Sequence, residues 1–171
     1  MALFALYSLG LILCLLGTWL VCKQILALRK TILYQKQVLK STPDAVIFKS
    51  GQGWMAMDVI LALFSLFAAA SSQLSAATDS MLEPETLCFI GIAIYCVSRV
   101  LRHANDGRIV FGPKAFVYHD ESIPYSSVLK MTPDRNQVEV KTRDSLFLVS
   151  KKQAEEIEKH KKNRKKVRCN R

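Results

Sequence analysis

The sequence predicts three membrane-spanning α-helices followed by a small α+β domain, an antiparallel sheet closed by one C-terminal helix. Three observations carry this. Half of the 171 residues are hydrophobic, yet the net charge is +10. Residues 1–22 and 54–98 contain no Lys or Arg; the 24 basic residues fall in two places, six between Lys23 and Lys49 and eighteen from Arg99 to Arg171. Such segregation is expected of a chain that crosses a bilayer several times. From Arg108 onward the hydrophobic period shortens from helical to strand-like, every second residue being apolar.

The first span, ALFALYSLGLILCLLGTWLVC, covers residues 2–22 without a charge, and about 20 apolar residues cross the hydrocarbon core. It lacks the basic n-region and the small-x-small cleavage site of a signal peptide, so it is expected to stay as an anchor. The second span covers roughly 54–76, with Asp58 near its start, and the third roughly 84–101, with Arg99 near its end. A buried hairpin in a globular protein is the alternative for these two, and their lack of basic residues argues against it. The 23–53 connection carries six basic residues and one acid, Asp44, whereas the 77–85 connection carries Asp79, Glu83, Glu85 and no base. By the positive-inside rule the N-terminus lies outside and the C-terminus in the cytoplasm, with Trp19 and Trp54 at the cytoplasmic interface. Cys14, Cys22, Cys88 and Cys96 lie in or beside spans and Cys169 in the tail. No disulfide, metal or other cofactor is expected from their spacing, and Cys22 and Cys169 are the candidates for S-acylation.

Beyond the first span the helix is expected to continue to Ser41-Thr42-Pro43, with Ile25, Leu28, Ile32, Gln35 and Leu39 as a stripe that needs a cover. Packing within the protein or its oligomer is favoured over lipid for that cover. Gly51-Gln52-Gly53 permits a turn into the second span. Asp58 and Arg99 are the ionisable groups of the membrane region. An intramembrane acid is a functional candidate, but one turn from the interface Asp58 reads first as a solvated residue of the helix start. The small-residue run AAASSQLSAA, residues 68–77, suits close helix packing.

Five strands are expected after Arg108: RIVFGP, KAFVYHD, SIPYSSVLKM, NQVEVKTR and SLFLVS. Turns fall at Gly112-Pro113, Asp120-Glu121, 134–136 and 143–145. A helix follows over KKQAEEIEKHKKN, with Ser150 as N-cap and Ala154 and Ile157 as its apolar side. The resulting division is 1–101 for the membrane region with its helical loop 23–53, 102–158 for the β-domain, and 159–171 for a basic tail.

This order of elements, with Arg108-Ile109-Val110-Phe111, Ala115-Phe116, the IPYSSV segment 123–128, Val138-Glu139-Val140 and Leu146 to Val149, resembles the YobD-like family of small bacterial inner-membrane proteins. The tail also resembles the half-barrel and helix of bacterial PH-like domains attached to membrane spans. The resemblance covers about 84–160 at motif level and the rest by topology. It implies a multi-pass protein of the bacterial inner membrane and no catalytic residues. The long 23–53 loop and the basic tail depart from the family pattern.

The run His119-Asp120-Glu121-Ser122 combines a base, two acids and a hydroxyl, but neighbouring strand residues point to opposite faces and cannot converge. It reads as a polar hairpin turn, and Tyr125 as a cover for the sheet. No nucleophile, phosphate-loop or zinc-protease motif occurs elsewhere. The cations Lys159, Lys161, Lys162, Arg164, Lys165, Lys166 and Arg168 are the candidate contacts to lipid or a partner. Anionic lipid of the inner leaflet is the preferred use, since each Lys or Arg near such a surface contributes about 1 kcal/mol. A solvated end is the alternative, and nucleic acid is disfavoured because no aromatic residues interleave the charges. The expected role is non-enzymatic: a membrane-anchored accessory or scaffold protein. The alternative is an immunity-type or transporter-accessory subunit acting through its spans, with a membrane protein complex or a second copy of the chain as partner.

Overall fold

The computed structural model describes residues 2–75, 83–135 and 137–169. They form a mixed α+β fold with four α-helices, three of them long and apolar, and two antiparallel sheets. The chain divides into two compact units, Met1–Leu28 with Gly53–His103, and Arg29–Gln52 with Ala104–Arg171.

The first unit is helical. Helix α1 (Ala2–Ser41) stops before Pro43, as expected of a residue that cannot continue a helix; α2 is Gln52–Ser75 and α3 Pro84–Asp106. All three are long and apolar enough to cross a membrane, which fits a multi-pass membrane protein. Asp79, expected in the acidic connection, lies outside the described residues. Helices α1 and α3 meet through glycines. A Cβ built on Gly10 would stand 2.7 Å from the Leu87 Cβ, one on Gly91 2.7 Å from the Leu13 Cβ, and one on Gly17 3.0 Å from Ile94. These contacts advance in the same direction along both helices, so α1 and α3 run parallel. Such close backbone approach favours helix association through van der Waals packing. On α2 the buried residues Asp58, Ala62, Ser65 and Ala69 share one face at helical spacing. Gln73 fastens the far end of the hairpin, accepting from Thr86 Oγ1 (3.3 Å) and the Glu83 amide (3.2 Å).

The second unit holds the sheets. Strands β1 (Val46–Lys49), β2 (Arg108–Phe111), β3 (Ala115–Tyr118) and β4 (Glu121–Pro124) form an antiparallel meander. After a 3₁₀ turn at Tyr125–Ser127, strands β5 (Lys130–Asp134), β6 (Gln137–Lys141) and β7 (Leu146–Ser150) form a second. Helix α4 (Lys151–Cys169) follows. Ile109, Phe111, Phe116, Tyr118 and Ile123 of the first sheet pack with Val140 and Val149 of the second and with Ala154 and Ile157 of α4. The buried tyrosines find acceptors, Tyr118 donating to the Leu148 carbonyl and Tyr125 to that of Gly112, both at 3.0 Å. The start of α4 is a reciprocal capping box: the Gln153 amide donates to Ser150 Oγ (3.3 Å) and the Ser150 amide to Gln153 Oε1 (2.8 Å).

Three features differ from expectation. There are seven strands, because SIPYSSVLKM is divided by the 3₁₀ turn and because β1 comes from the connection before α2. The sheet therefore begins well before residue 102. Its first strand is Val46–Lys49, in register with Phe111–Arg108, and the α2–α3 hairpin is inserted between two adjacent strands. Secondly, α4 continues to Cys169, so residues 159–169 are its second half and not a separate tail. Thirdly, the buried face of the 29–41 part of α1 is turned slightly from the expected stripe. Thr31 and Gln35 are its most buried residues, whereas Ile32 and Leu39 are only partly buried. This part of α1 runs past the other face of the first sheet. Lys30 pairs with Asp120 at the β3–β4 turn, and Thr42 approaches Gly112 at the end of β2. Val110 and Val117, which alternate with the core residues and point to that face, are buried as well. A helix crossing an apolar face must bury whatever sits at its inward positions, and here two of these are polar.

The glycine contacts set a test. Ala is intrinsically better than Gly in a helix by about 1 kcal/mol, but at Gly91 a Cβ clashes with the backbone and Cβ of α1. We predict that Gly91→Ala lowers the stability of the detergent-solubilised full chain by about 1–3 kcal/mol. Gly53→Ala, with nothing within 4 Å, should leave it unchanged or raised, as read by thermal unfolding of both variants.

Candidate functional site

Two groups of charged residues stand out, one in each unit. In the helical unit Asp58 is 2 % exposed. Arg99 Nε lies 3.4 Å from Asp58 Oδ1, and His103 Nε2 lies 3.4 Å from Asp58 Oδ2. Arg99 and His103 are four apart on α3, hence one turn above the other on one face. Cys96, also buried, is three residues before Arg99. The sequence-derived view of Asp58 as a solvated helix-start residue is thus corrected: it sits on the same face of α2 as Ala62, Ser65 and Ala69, and that face is turned inward. Both distances are long for hydrogen bonds, and Asp58 Oδ2 and His103 Nε2 have no such partner among the described residues. The arrangement is a loose ion cluster in which Arg99 supplies the permanent counter-charge and His103 a second one when protonated. A buried acid needs this compensation.

The run His119–Ser122 is dispersed over separate neighbours. It makes the β3–β4 turn, with Tyr118 paired to Glu121 and His119 at φ +54°. His119 Nδ1 lies 3.0 Å from Asn105 Nδ2, and Nε2 lies 3.6 Å from Asp106 Oδ1. Asp120 instead turns to Lys30, and Glu121 and Ser122 are exposed. No convergent nucleophile and base result. The Lys30 ammonium holds the Asp120 carboxyl below the usual carboxylate range, chiefly through the hydrogen bond between them.

The basic half of α4 is only partly free. Lys161 Nζ donates to the Val128 carbonyl at 2.8 Å, Lys162 pairs with Glu158 at 2.8 Å, and Lys159 with Glu156 at 3.5 Å. Lys162 holds the Glu158 carboxyl below its ordinary value. Arg164, Lys165, Lys166 and Arg168 continue the helix, and their side chains lie outside the described ones. Beside α4 an open groove of about 430 Å³ is lined by Leu129, Lys130, Met131, Glu158, Lys161 and Lys162.

Inspection of charge runs in the sequence misses Lys130 and Lys141. They lie outside the basic run of the C-terminal helix but are directly opposed across β5 and β6. The signal is the turn at 134–136, since Asp134 pairs with Gln137 and counting outward brings 130 to 141. Comparison of the chain with family models, with curated proteins and with solved structures finds no match.

Two predictions follow from these geometries. In a double-mutant cycle of Asp58→Asn and Arg99→Gln, measured by unfolding of the full chain in detergent, the pair should show a coupling of about 0.5–3 kcal/mol; additive effects would refute the ion cluster. For Asp120 the folded-state pKa is depressed. Its pair with Lys30 therefore stabilises fully above the unfolded carboxyl value of about 3.9, and this contribution is lost as pH falls through the folded one. Asp120→Asn should flatten that acid-side slope by a small, salt-sensitive amount, since Lys30 is largely exposed.

Proposed function

We propose that this is a non-enzymatic multi-pass membrane protein whose β-unit is a PH-like domain on the cytoplasmic face. It acts there as an anchored accessory or scaffold, engaging anionic headgroups or a membrane protein partner. The observation that carries this reading is the insertion of an apolar helical hairpin between β1 and β2. A domain whose neighbouring strands are joined through the membrane region cannot leave the bilayer surface without losing a strand. A four-stranded meander, a three-stranded meander and a closing helix support the PH-like description. The basic 23–53 connection supports an orientation with the N-terminus outside. The resemblance to the YobD-like family supports the bacterial inner membrane as its place.

The test compares two surfaces of the full chain in cells. A photo-crosslinking residue replacing exposed Leu148 of β7 should capture lipid or one stoichiometric membrane protein, identified by mass spectrometry. The same residue replacing exposed Phe64 of α2 should capture lipid alone. Protein capture from position 64 and nothing from position 148 would overturn the reading in favour of a subunit acting through its helices.

A further inference from the structure

We propose that Arg99 and His103, backed by Asp58, form a site on α3 for the phosphate of one anionic phospholipid, whose acyl chain lies along Ile92 and Tyr95. This rests on the membrane reading above and gives the helical unit a specific ligand. The four α3 residues follow at steps of three, four and four and share one face of the helix. Arg99 meets Asp58 through Nε at 3.4 Å, in a side chain 43 % exposed. A guanidinium has five N–H donors, and Asp58 is the one ion-pair partner that the described residues give it. His103 turns Nε2 inward to Asp58, while its Nδ1 is neither sealed off nor bonded among the described residues. As an imidazolium it therefore has one N–H for Asp58 and one for a ligand. Arg99 stands about 22 Å along α3 from Pro84, near one boundary of a hydrocarbon core about 30 Å thick. Long cationic side chains at that depth reach lipid phosphates by snorkelling. Trp54, one turn before Asp58 on α2 and exposed, suits the same boundary.

The charges select the headgroup. Arg99 balances Asp58, and a protonated His103 leaves one positive charge for a single phosphodiester. Asp58 is the only acid of α2, and the acids of α3, Glu85 and Asp106, lie about four and two turns from Arg99. Arg102, on a neighbouring face of α3, adds to the positive field. A headgroup whose only charge is its phosphate completes this balance, whereas a choline group would bring its ammonium against two cations. Ile92 and Tyr95, both exposed, extend from the cations toward the middle of the span and supply the lane for an acyl chain. A free phosphate would use the cations and leave that lane idle.

The experiment is native mass spectrometry of the full chain released from detergent micelles holding equal phosphatidylglycerol and phosphatidylcholine. The expected result is one retained phosphatidylglycerol, several-fold in excess over phosphatidylcholine. Asp58→Asn/Arg99→Gln removes both charges of the pair without stranding either, and should abolish that preference while unfolding cooperatively in lipid-free detergent. Asp58→Asn alone removes only the charge that repels phosphate, so it should retain phosphatidylglycerol at least as well as the natural chain. Ile92→Ser/Tyr95→Ser should lower retention several-fold. An undiminished preference in Asp58→Asn/Arg99→Gln, or its loss in Asp58→Asn alone, would overturn the site. Equal retention of the two lipids by the natural chain would do so too, leaving the membrane reading in place. Displacement of the lipid by glycerol 3-phosphate at equal concentration would overturn the phospholipid in favour of a soluble anion. Release of the chain from cell membranes by alkaline carbonate would overturn the membrane reading itself.

Discussion

The pairing of Val46–Lys49 with Arg108–Phe111 is the constraint on which the rest of the structure depends. β2 is an inner strand of its sheet, so it needs neighbours on both edges, and one of them lies on the far side of the α2–α3 hairpin. Bringing ends so distant in sequence together costs loop-closure entropy. An antiparallel hairpin of helices 24 and 23 residues long reduces that cost, because it returns the chain to the level at which it departed. The Ser50 amide accordingly donates to the Gly107 carbonyl at 2.8 Å. Gln153 Nε2 donates to the Asp106 carbonyl at 3.1 Å, and Ser150 Oγ to Ser50 Oγ at 3.2 Å. The capping box of α4 thus doubles as the clasp on the two points where the chain leaves and re-enters the β-unit.

That arrangement explains the double-sided burial of β2. Ile109 and Phe111 belong to the core shared with the second sheet and α4, while Val110, which points to the other face, is buried too. A strand used on both faces reads as a continuous apolar run, and Ile-Val-Phe does. The unsettled element is Gln35. Both atoms of its amide are buried without a hydrogen-bond partner among the described residues, and each unmet group costs about 1–3 kcal/mol.

The helices, the change of period at Arg108 and the Ser150 N-cap were legible because each is a local pattern. What was not legible depends on a partner. VIFK is four residues long, too short for alternation to register, and becomes a strand only by pairing with Arg108–Phe111. Asp58 lies one turn into its helix whether it faces water or Arg99, and only the packing of α2 on α3 decides. The apolar stripe on α1 identified Gln35 but favoured Ile32 over Thr31, because a choice between adjacent positions is set by where the helix crosses the sheet. Among candidate contacts, the charge run in α4 was conspicuous yet partly spent on Val128, Glu156 and Glu158. Lys130 and Lys141 carried no local signature and came together through strand register.

The two charge clusters obey one rule in opposite surroundings. Asp58 is inside a helical bundle, where an unpaired charge is costly, and it is met by Arg99 and His103 from the facing helix. Lys130 and Lys141 are in water, where their mutual repulsion is screened enough for the sheet to tolerate it. Folding alone gives no reason to place two lysines opposite each other, since a glutamate in either position would favour the pairing.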